Sequence, residues 1–160
     1  GSVSVEAALS WRVKSVWAIE KNREAVELLR QNIARAERAG AGTIHLLEGE
    51  ALALLTDPEI REQFQTGHRL THAFLGGTSG NMKQILEALL SLNPQMRIVI
   101  NVIALESVAA AVAALKDLSI EAEIVSVQTA KAKKAGSYHL MQGQNPVYII
   151  SFGGKDENEA

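Results

Sequence analysis

The sequence predicts an open α/β fold, a parallel sheet with helices on both faces that ends in an antiparallel pair of strands. Three observations carry this expectation. Short apolar runs stop abruptly at charged or glycine-rich residues, as buried parallel strands do where their carboxyl ends meet solvent. Stretches with apolar residues at helical spacing separate those runs, which implies crossover helices and a doubly wound sheet. The last two runs follow each other without a helix between them, so they must be antiparallel neighbours.

The elements follow in order. Gly1 to Ser10 starts at once on a helical pattern containing Glu6-Ala7-Ala8-Leu9. Ser15-Val16-Trp17-Ala18-Ile19 is a strand ended by Glu20-Lys21-Asn22. Arg23 to Arg38 has Ala25, Val26, Leu28, Leu29, Ile33 and Ala36 on one stripe, an amphipathic helix. Ala39-Gly40-Ala41-Gly42 stops it, because glycine suits the left-handed position after a helix end. Thr43-Ile44-His45-Leu46-Leu47 is the next strand, and Asp57-Pro58 starts a short helix. Thr71 to Leu75 is a strand that runs into Gly76-Gly77-Thr78-Ser79-Gly80. Asn81 to Leu92 is a helix ended by Asn93-Pro94, Arg97 to Val102 a strand, and Leu105 to Leu118 an alanine-rich helix. Two strands, near Glu121 to Thr129 and Pro146 to Phe152, close the sheet across a long loop. Residues 1–154 are expected to form one domain, with 155–160 a polar tail.

Composition narrows the chemistry. The chain has 160 residues, 47% of them hydrophobic, and a formal net charge of -2, which argues against a general nucleic-acid binder. It has no cysteine, so disulfides, thiolate metal sites and a cysteine nucleophile are excluded. No apolar run reaches the ~20 residues that span a bilayer. A cytoplasmic protein is the expectation.

Ligands of open parallel sheets bind beyond the carboxyl ends of the strands. Glu20, at the first such end, can accept both hydroxyl hydrogens of a ribose. Gly49-Glu50-Ala51, at the second, offers a backbone amide, a carbonyl and a carboxylate that match an adenine edge; a simple turn reads equally well. Gly76-Gly77-Thr78-Ser79-Gly80 allows close backbone approach by a ligand, but lacks the lysine of a phosphate loop. Asn101 puts a polar end on an apolar strand. His68 and His72 straddle a loop–strand boundary, so no shared helical face and no metal site are expected, and His45 reads as packed or edge-exposed. His139 lies on the loop between the last strands. Lys131, Lys133 and Lys134 share that loop and form either a solvated face or an attractor for an anionic substrate.

These residues resemble a known family. Gly1-Ser2-Val3-Ser4-Val5-Glu6-Ala7-Ala8, Val16-Trp17-Ala18-Ile19-Glu20-Lys21-Asn22 and Glu48-Gly49-Glu50-Ala51 are general to class I, Rossmann-like methyltransferases. Phe74-Leu75-Gly76-Gly77-Thr78-Ser79-Gly80, Asn101-Val102-Ile103-Ala104-Leu105-Glu106-Ser107 and Gln144-Asn145-Pro146-Val147-Tyr148-Ile149-Ile150 are more specific. Together they resemble the decarboxylating precorrin methyltransferases that act at carbon-15, both the C5,15-methyltransferases and their stand-alone cobalt-precorrin-6B counterparts.

The resemblance implies S-adenosylmethionine as co-substrate and no metal. It implies methyl transfer to carbon-15 of a precorrin ring, with decarboxylation of the ring C acetate, in cobalamin biosynthesis. Gly1, Glu20, Glu50 and Ala51 would contact the cofactor, with Glu20 on the ribose and Glu50 and Ala51 framing the adenine. Gly76, Gly77, Asn101, Lys133 and His139 would serve the substrate. No catalytic residue is assigned, because in-line alignment and the conjugated ring carry the chemistry. Two departures stand out: Glu50 replaces a frequent aspartate, and Ala104 replaces a commonly hydroxylated residue.

Gly1 matches the last glycine of the family's cofactor loop. The chain is therefore expected to lack the first, central strand and most of that loop, and by itself to bind cofactor poorly or not at all, with the activity belonging to the intact parent protein. A homo-oligomer, a tetramer by resemblance, is expected, and a preceding C5-methylating domain is left open. The alternatives are an RNA methyltransferase of the same fold and a non-catalytic cofactor-binding or oligomerising module.

Overall fold

The structure, a computed structural model, describes residues 1–10, 13–65, 69–77 and 80–154. The chain divides into two compact units, Gly1–Gln63 and Phe64–Ala160, each with its own sheet.

The first unit contains α1 (Ser2–Leu9), β1 (Ser15–Glu20), α2 (Arg23–Arg38), β2 (Thr43–Glu48) and α3 (Ala51–Thr56), and α4 (Pro58–Gln65) follows. β1 and β2 are parallel, in register from Ser15 opposite Thr43 to Glu20 opposite Glu48. Ala8, Ala18, Leu29 and Ile44 form its buried centre, with Val5, Val16, Ile33 and Leu46 packed against them. Asn22 caps α2, its Oδ1 accepting the Ala25 N–H at 3.0 Å. Gly42 allows a close approach, since a Cβ there would lie 2.6 Å from the Val13 carbonyl oxygen. Its N–H donates to the Ala8 carbonyl at 2.7 Å, beside the amino end of β2.

Residues 51–65 differ from expectation. The sequence predicts one short helix from Asp57-Pro58, but α3 precedes it. Ala51-Leu52-Ala53-Leu54-Leu55 is too short and too uniformly apolar to show a helical period. Asp57 then caps α4, its Oδ1 accepting the Glu59 and Ile60 N–H groups at 2.9 and 3.1 Å.

The second unit contains β3 (His72–Leu75), α5 (Met82–Leu92), β4 (Arg97–Val102), α6 (Leu105–Asp117), β5 (Glu123–Val127), β6 (Ala130–Ala135), β7 (Tyr138–Gly143) and β8 (Val147–Phe152). Four strands form a sheet in the order β3-β4-β8-β5. β3 is parallel to β4, and β8 is antiparallel to both β4 and β5, so β5 runs in the direction of β4. The expected terminal antiparallel pair is thus β5 and β8. Ile98, Ile100, Ile150 and Phe152 are buried, as are Met82, Leu86, Ala111 and Ala114 of the helices. Strand alternation collects the apolar residues of β4 on one face, and α6 packs on β4 while α5 packs on α6.

Polar side chains close the amino edge of this sheet. Asn93, buried after α5, donates to the Leu70 carbonyl at 2.8 Å and accepts the Gln95 N–H at 3.0 Å. Arg97 donates to the Gly153 carbonyl at 3.0 Å and to Ser151 Oγ at 3.1 Å. Lys83 and Asp117 pair at 3.0 Å across α5 and α6, and the Asp117 hydrogen bond and charge raise the exposed lysine's pKa.

The long loop expected between the last strands is a β-hairpin. β6 and β7 pair from Ala130 opposite Gly143 to Ala135 opposite Tyr138, joined at Gly136-Ser137 with Gly136 at φ 63°. Every residue of both strands is exposed, so this is an arm about 20 Å long at the usual strand rise. Ala130-Lys131-Ala132-Lys133 alternates, but its apolar members are only alanine, too small to mark a half-buried face, and the strand is fully exposed. The expected tail at 155–160 lies outside the described residues.

Candidate functional site

In the first unit the carboxyl ends of β1 and β2 meet at Glu20 and Glu48. The Gly49 N–H donates to the Glu20 carbonyl at 2.9 Å, which holds the Gly49-Glu50-Ala51 turn beside Glu20. The Glu20 carboxylate is oriented locally: Oε1 accepts the N–H groups of Lys21 and Asn22, both at 2.9 Å. Oε2 has no protein partner among the described residues, so the lone pairs suited to a diol remain unused. Glu48 is engaged elsewhere, its Oε2 accepting from Arg30 at 3.2 Å.

Glu50 caps α3, with Oε2 accepting the Ala53 N–H at 3.1 Å. Ala51 is the first residue of that helix, so its N–H is spare in the helical ladder. The Ala8–Gly42 bond at the amino end makes α1 run back along the strands, with its Gly1 end toward the carboxyl edge. Gly1 packs on α2, where a Cβ would lie 2.8 Å from the tip of the Leu29 side chain, Cδ1. Glu20, Glu50 and Ala51 are therefore brought to one edge, and Gly1 is placed against Leu29 of α2. A groove of about 340 Å³ between α1 and α2, lined by Ser2, Val5 and Arg35 among others, contains none of them.

In the second unit, the carboxyl edge collects the ends of β3, β4 and β5. Gly76 and Gly77 follow β3 and are exposed; a Cβ on Gly77 would meet nothing within 4 Å. Thr78 and Ser79 of the same cluster lie outside the described residues, as does His68. Asn101 stands opposite Ile149, and its buried Oδ1 has no hydrogen-bond partner among the described residues. A buried acceptor left unpaired costs roughly 1–3 kcal/mol.

The arm rises from this edge, its root closed by the Gln144 N–H donating to the Thr129 carbonyl at 2.8 Å. Lys133 and His139 are both on it, but not on one face. Lys133 stands opposite Leu140, and His139 opposite Lys134. His45 is stacked on Trp17 across β1 and β2, with ring centroids 4.2 Å apart. Among the described residues no group of three His, Asp or Glu side chains is placed to hold a metal, and no helix is long and apolar enough to cross a membrane.

The profile of the precorrin methyltransferase domain matches residues 1–152. The chain belongs to the precorrin methyltransferase family. The family's members are methyltransferases, and so is this chain. The cobalt-precorrin-6B C(15)-methyltransferase (decarboxylating) of Salmonella typhimurium is 31% identical over 160 residues, which cover 99% of this chain and 76% of that protein. The solved structure of precorrin 8W decarboxylase from Methanobacterium thermoautotrophicum is 29% identical and superposes with a TM-score of 0.74, covering 96% of this chain and 76% of that one. A SAM-dependent O-methyltransferase of Thermotoga maritima, at 14% identity and TM-score 0.53, covers 89% of this chain and 51% of that one and shares the fold alone. The precorrin methyltransferase chain thus has the Rossmann-like fold of SAM-dependent methyltransferases.

Sequence reasoning placed Glu20, Glu50 and Asn101 at strand ends, where they are found. It missed Lys131, Tyr138 and Leu140 as neighbours on one strand face. The signal was present in Gly136-Ser137, a turn pair between two runs of six residues.

Proposed function

We propose that this chain carries out S-adenosylmethionine-dependent methylation of carbon-15 of a precorrin macrocycle, with loss of the ring C acetate carboxyl as carbon dioxide, in cobalamin biosynthesis. The observation that carries the reading is the Glu20 carboxylate, held by two backbone amides with one oxygen unused, in a chain of this family. The printed activity of the Salmonella relative supports the substrate and the position of attack.

On this reading Glu20 Oε2 accepts the ribose hydroxyls, and Ala51 N–H and Glu50 frame the adenine, with Gly1 at the same edge. The cofactor supplies an electrophilic sulfonium methyl group. Gly76 and Gly77 leave room for the macrocycle next to Asn101, whose orphaned oxygen is an acceptor for a substrate donor. On the arm Lys133 offers its ammonium group to the ring's carboxylates, and His139, also assigned to the substrate, lies on the arm's other face. Decarboxylation breaks the carbon–carbon bond of the acetate, and its electron pair enters the conjugated ring, which later takes up a proton. The reading includes residues 1–154 as the methyltransferase domain, a cytoplasmic location, and a homo-oligomer, a tetramer by family resemblance, that uses the last strands for contact.

The test is incubation with labelled S-adenosylmethionine and precorrin-6-type substrates, cobalt-free and cobalt-loaded. A methylated, decarboxylated product is expected. Its absence under conditions where the Salmonella enzyme forms product rejects the reading.

A further inference from the structure

Alternation divides the residues of β4 between the two faces of its sheet. Ile98, Ile100 and Val102 share the buried face, while Arg97, Val99 and Asn101 share the other and are only partly buried. On that second face Phe74 of β3 stands beside Val99, Ile149 of β8 stands opposite Asn101, and Val125 of β5 stands opposite Ile149. The Asn101 amide is therefore the polar member of an apolar row. Past Asn101, Ile103 is 53% exposed and Leu105 71%, and Phe74 is 43% exposed. Gly76, one residue beyond the Leu75–Ile100 pair, adds no side chain beside it.

The amide is costly where it stands. Its Oδ1 is buried with no hydrogen-bond partner among the described residues. Turning the amide over does not remove the cost, because an unpaired NH₂ group is then buried in place of the oxygen. An apolar side chain of similar shape avoids the cost altogether. Stability by itself therefore favours leucine here, in line with the isoleucines at 98 and 100.

We infer that Asn101 is a specificity-determining residue for the methyl acceptor, and that it reads a single N–H or O–H donor on an otherwise apolar part of that molecule. This rests on the proposed function and adds to it how the acceptor is chosen. Phe74, Ile103 and Leu105 form an apolar lip, with one polar group to fix orientation. The terminal amide torsion is soft, so a small rotation brings Oδ1 to the donor. A molecule without that donor leaves the oxygen unpaired and is rejected.

The test compares Asn101→Leu and Asn101→Asp with the unmodified chain. Asn101→Leu removes the acceptor at similar size and is expected to raise the thermal midpoint by roughly 2–4 °C. It is also expected to lower kcat/KM for the precorrin acceptor about tenfold or more, with S-adenosylmethionine affinity by calorimetry unchanged. Asn101→Asp keeps an acceptor but buries a carboxyl group, so it is expected to lower the midpoint and retain more turnover than leucine does. A merely structural side chain would not give this inverse order of stability and turnover. A midpoint that falls in Asn101→Leu overturns the inference, and so does an unchanged kcat/KM. Cofactor affinity that falls in step with turnover puts the oxygen on the cofactor and overturns the acceptor assignment. No product from the unmodified chain rejects the proposed function, and the midpoint of Asn101→Leu alone then decides the inference.

Discussion

The backbone N–H of Gly49 donates to the Glu20 carbonyl at 2.9 Å, and this bond ties the turn after β2 to the end of β1. It brings Glu20 and Glu50 to one edge although they are thirty positions apart in the chain. Because Oε1 of Glu20 is already held by two amides, Oε2 is presented in a fixed orientation. Glu20→Gln keeps the shape but removes the charge. S-adenosylmethionine affinity, measured by calorimetry, is expected to fall about tenfold or more, as for a lost hydrogen bond to a charged group. Unchanged affinity would place the ribose elsewhere.

Ala104 occupies the N-cap of α6 in an extended conformation, φ −74° and ψ 138°, and offers no side-chain acceptor to the helix. The caps of α2 and α3 both supply one, from Asn22 and Glu50. Ala104→Ser is therefore expected to stabilise the protein by about 1 kcal/mol. A thermal midpoint raised by roughly 2–4 °C would agree. A midpoint that falls would show that the serine oxygen is not reaching the first turn.

Two helices end in the same way with different residues. After α2, Ala41 N–H donates to the Ala36 carbonyl and the left-handed residue is Gly40, φ 80°. After α6, Ile120 N–H donates to the Leu115 carbonyl and the left-handed residue is Ser119, φ 54°. A side chain in that region carries a steric cost of roughly 1–2 kcal/mol, part of which glycine gives back through the freedom of the unfolded chain. Ser119→Gly should raise stability by about 0.5–1 kcal/mol in urea unfolding. A loss of stability would mean that the serine hydroxyl contributes more than its backbone strain costs.

Gly153 offers the opposite case. It has φ 73°, and a Cβ there would collide with the Met96 carbonyl oxygen. The same turn accepts an Arg97 hydrogen bond through the Gly153 carbonyl. Gly153→Ala is expected to destabilise by about 2 kcal/mol or more. Urea unfolding with an unchanged midpoint would contradict this.

Much of this could be read in the linear chain. Glu20 and Glu50 could be found because a parallel strand ends where its apolar run ends, and ligands of such sheets gather there. Asn101 stood out for the same reason, a polar residue closing the run Ile98-Val99-Ile100. The helix stops at Gly40 and the cap at Asn22 were equally local.

The sequence by itself determined the order of strands and helices and the residues at the strand ends, because hydrophobic period and turn chemistry act over a few neighbours. Tertiary structure alone decided which side chains share a face. Lys133 and His139, close in sequence, fall on opposite sides of the arm, because pairing across Gly136-Ser137 sets His139 against Lys134. It also decided that Oε1 of Glu20 is held while Oε2 is unused among the described residues, and that among them Asn101 Oδ1 is buried without a partner. Register and burial depend on contacts between residues far apart in the chain.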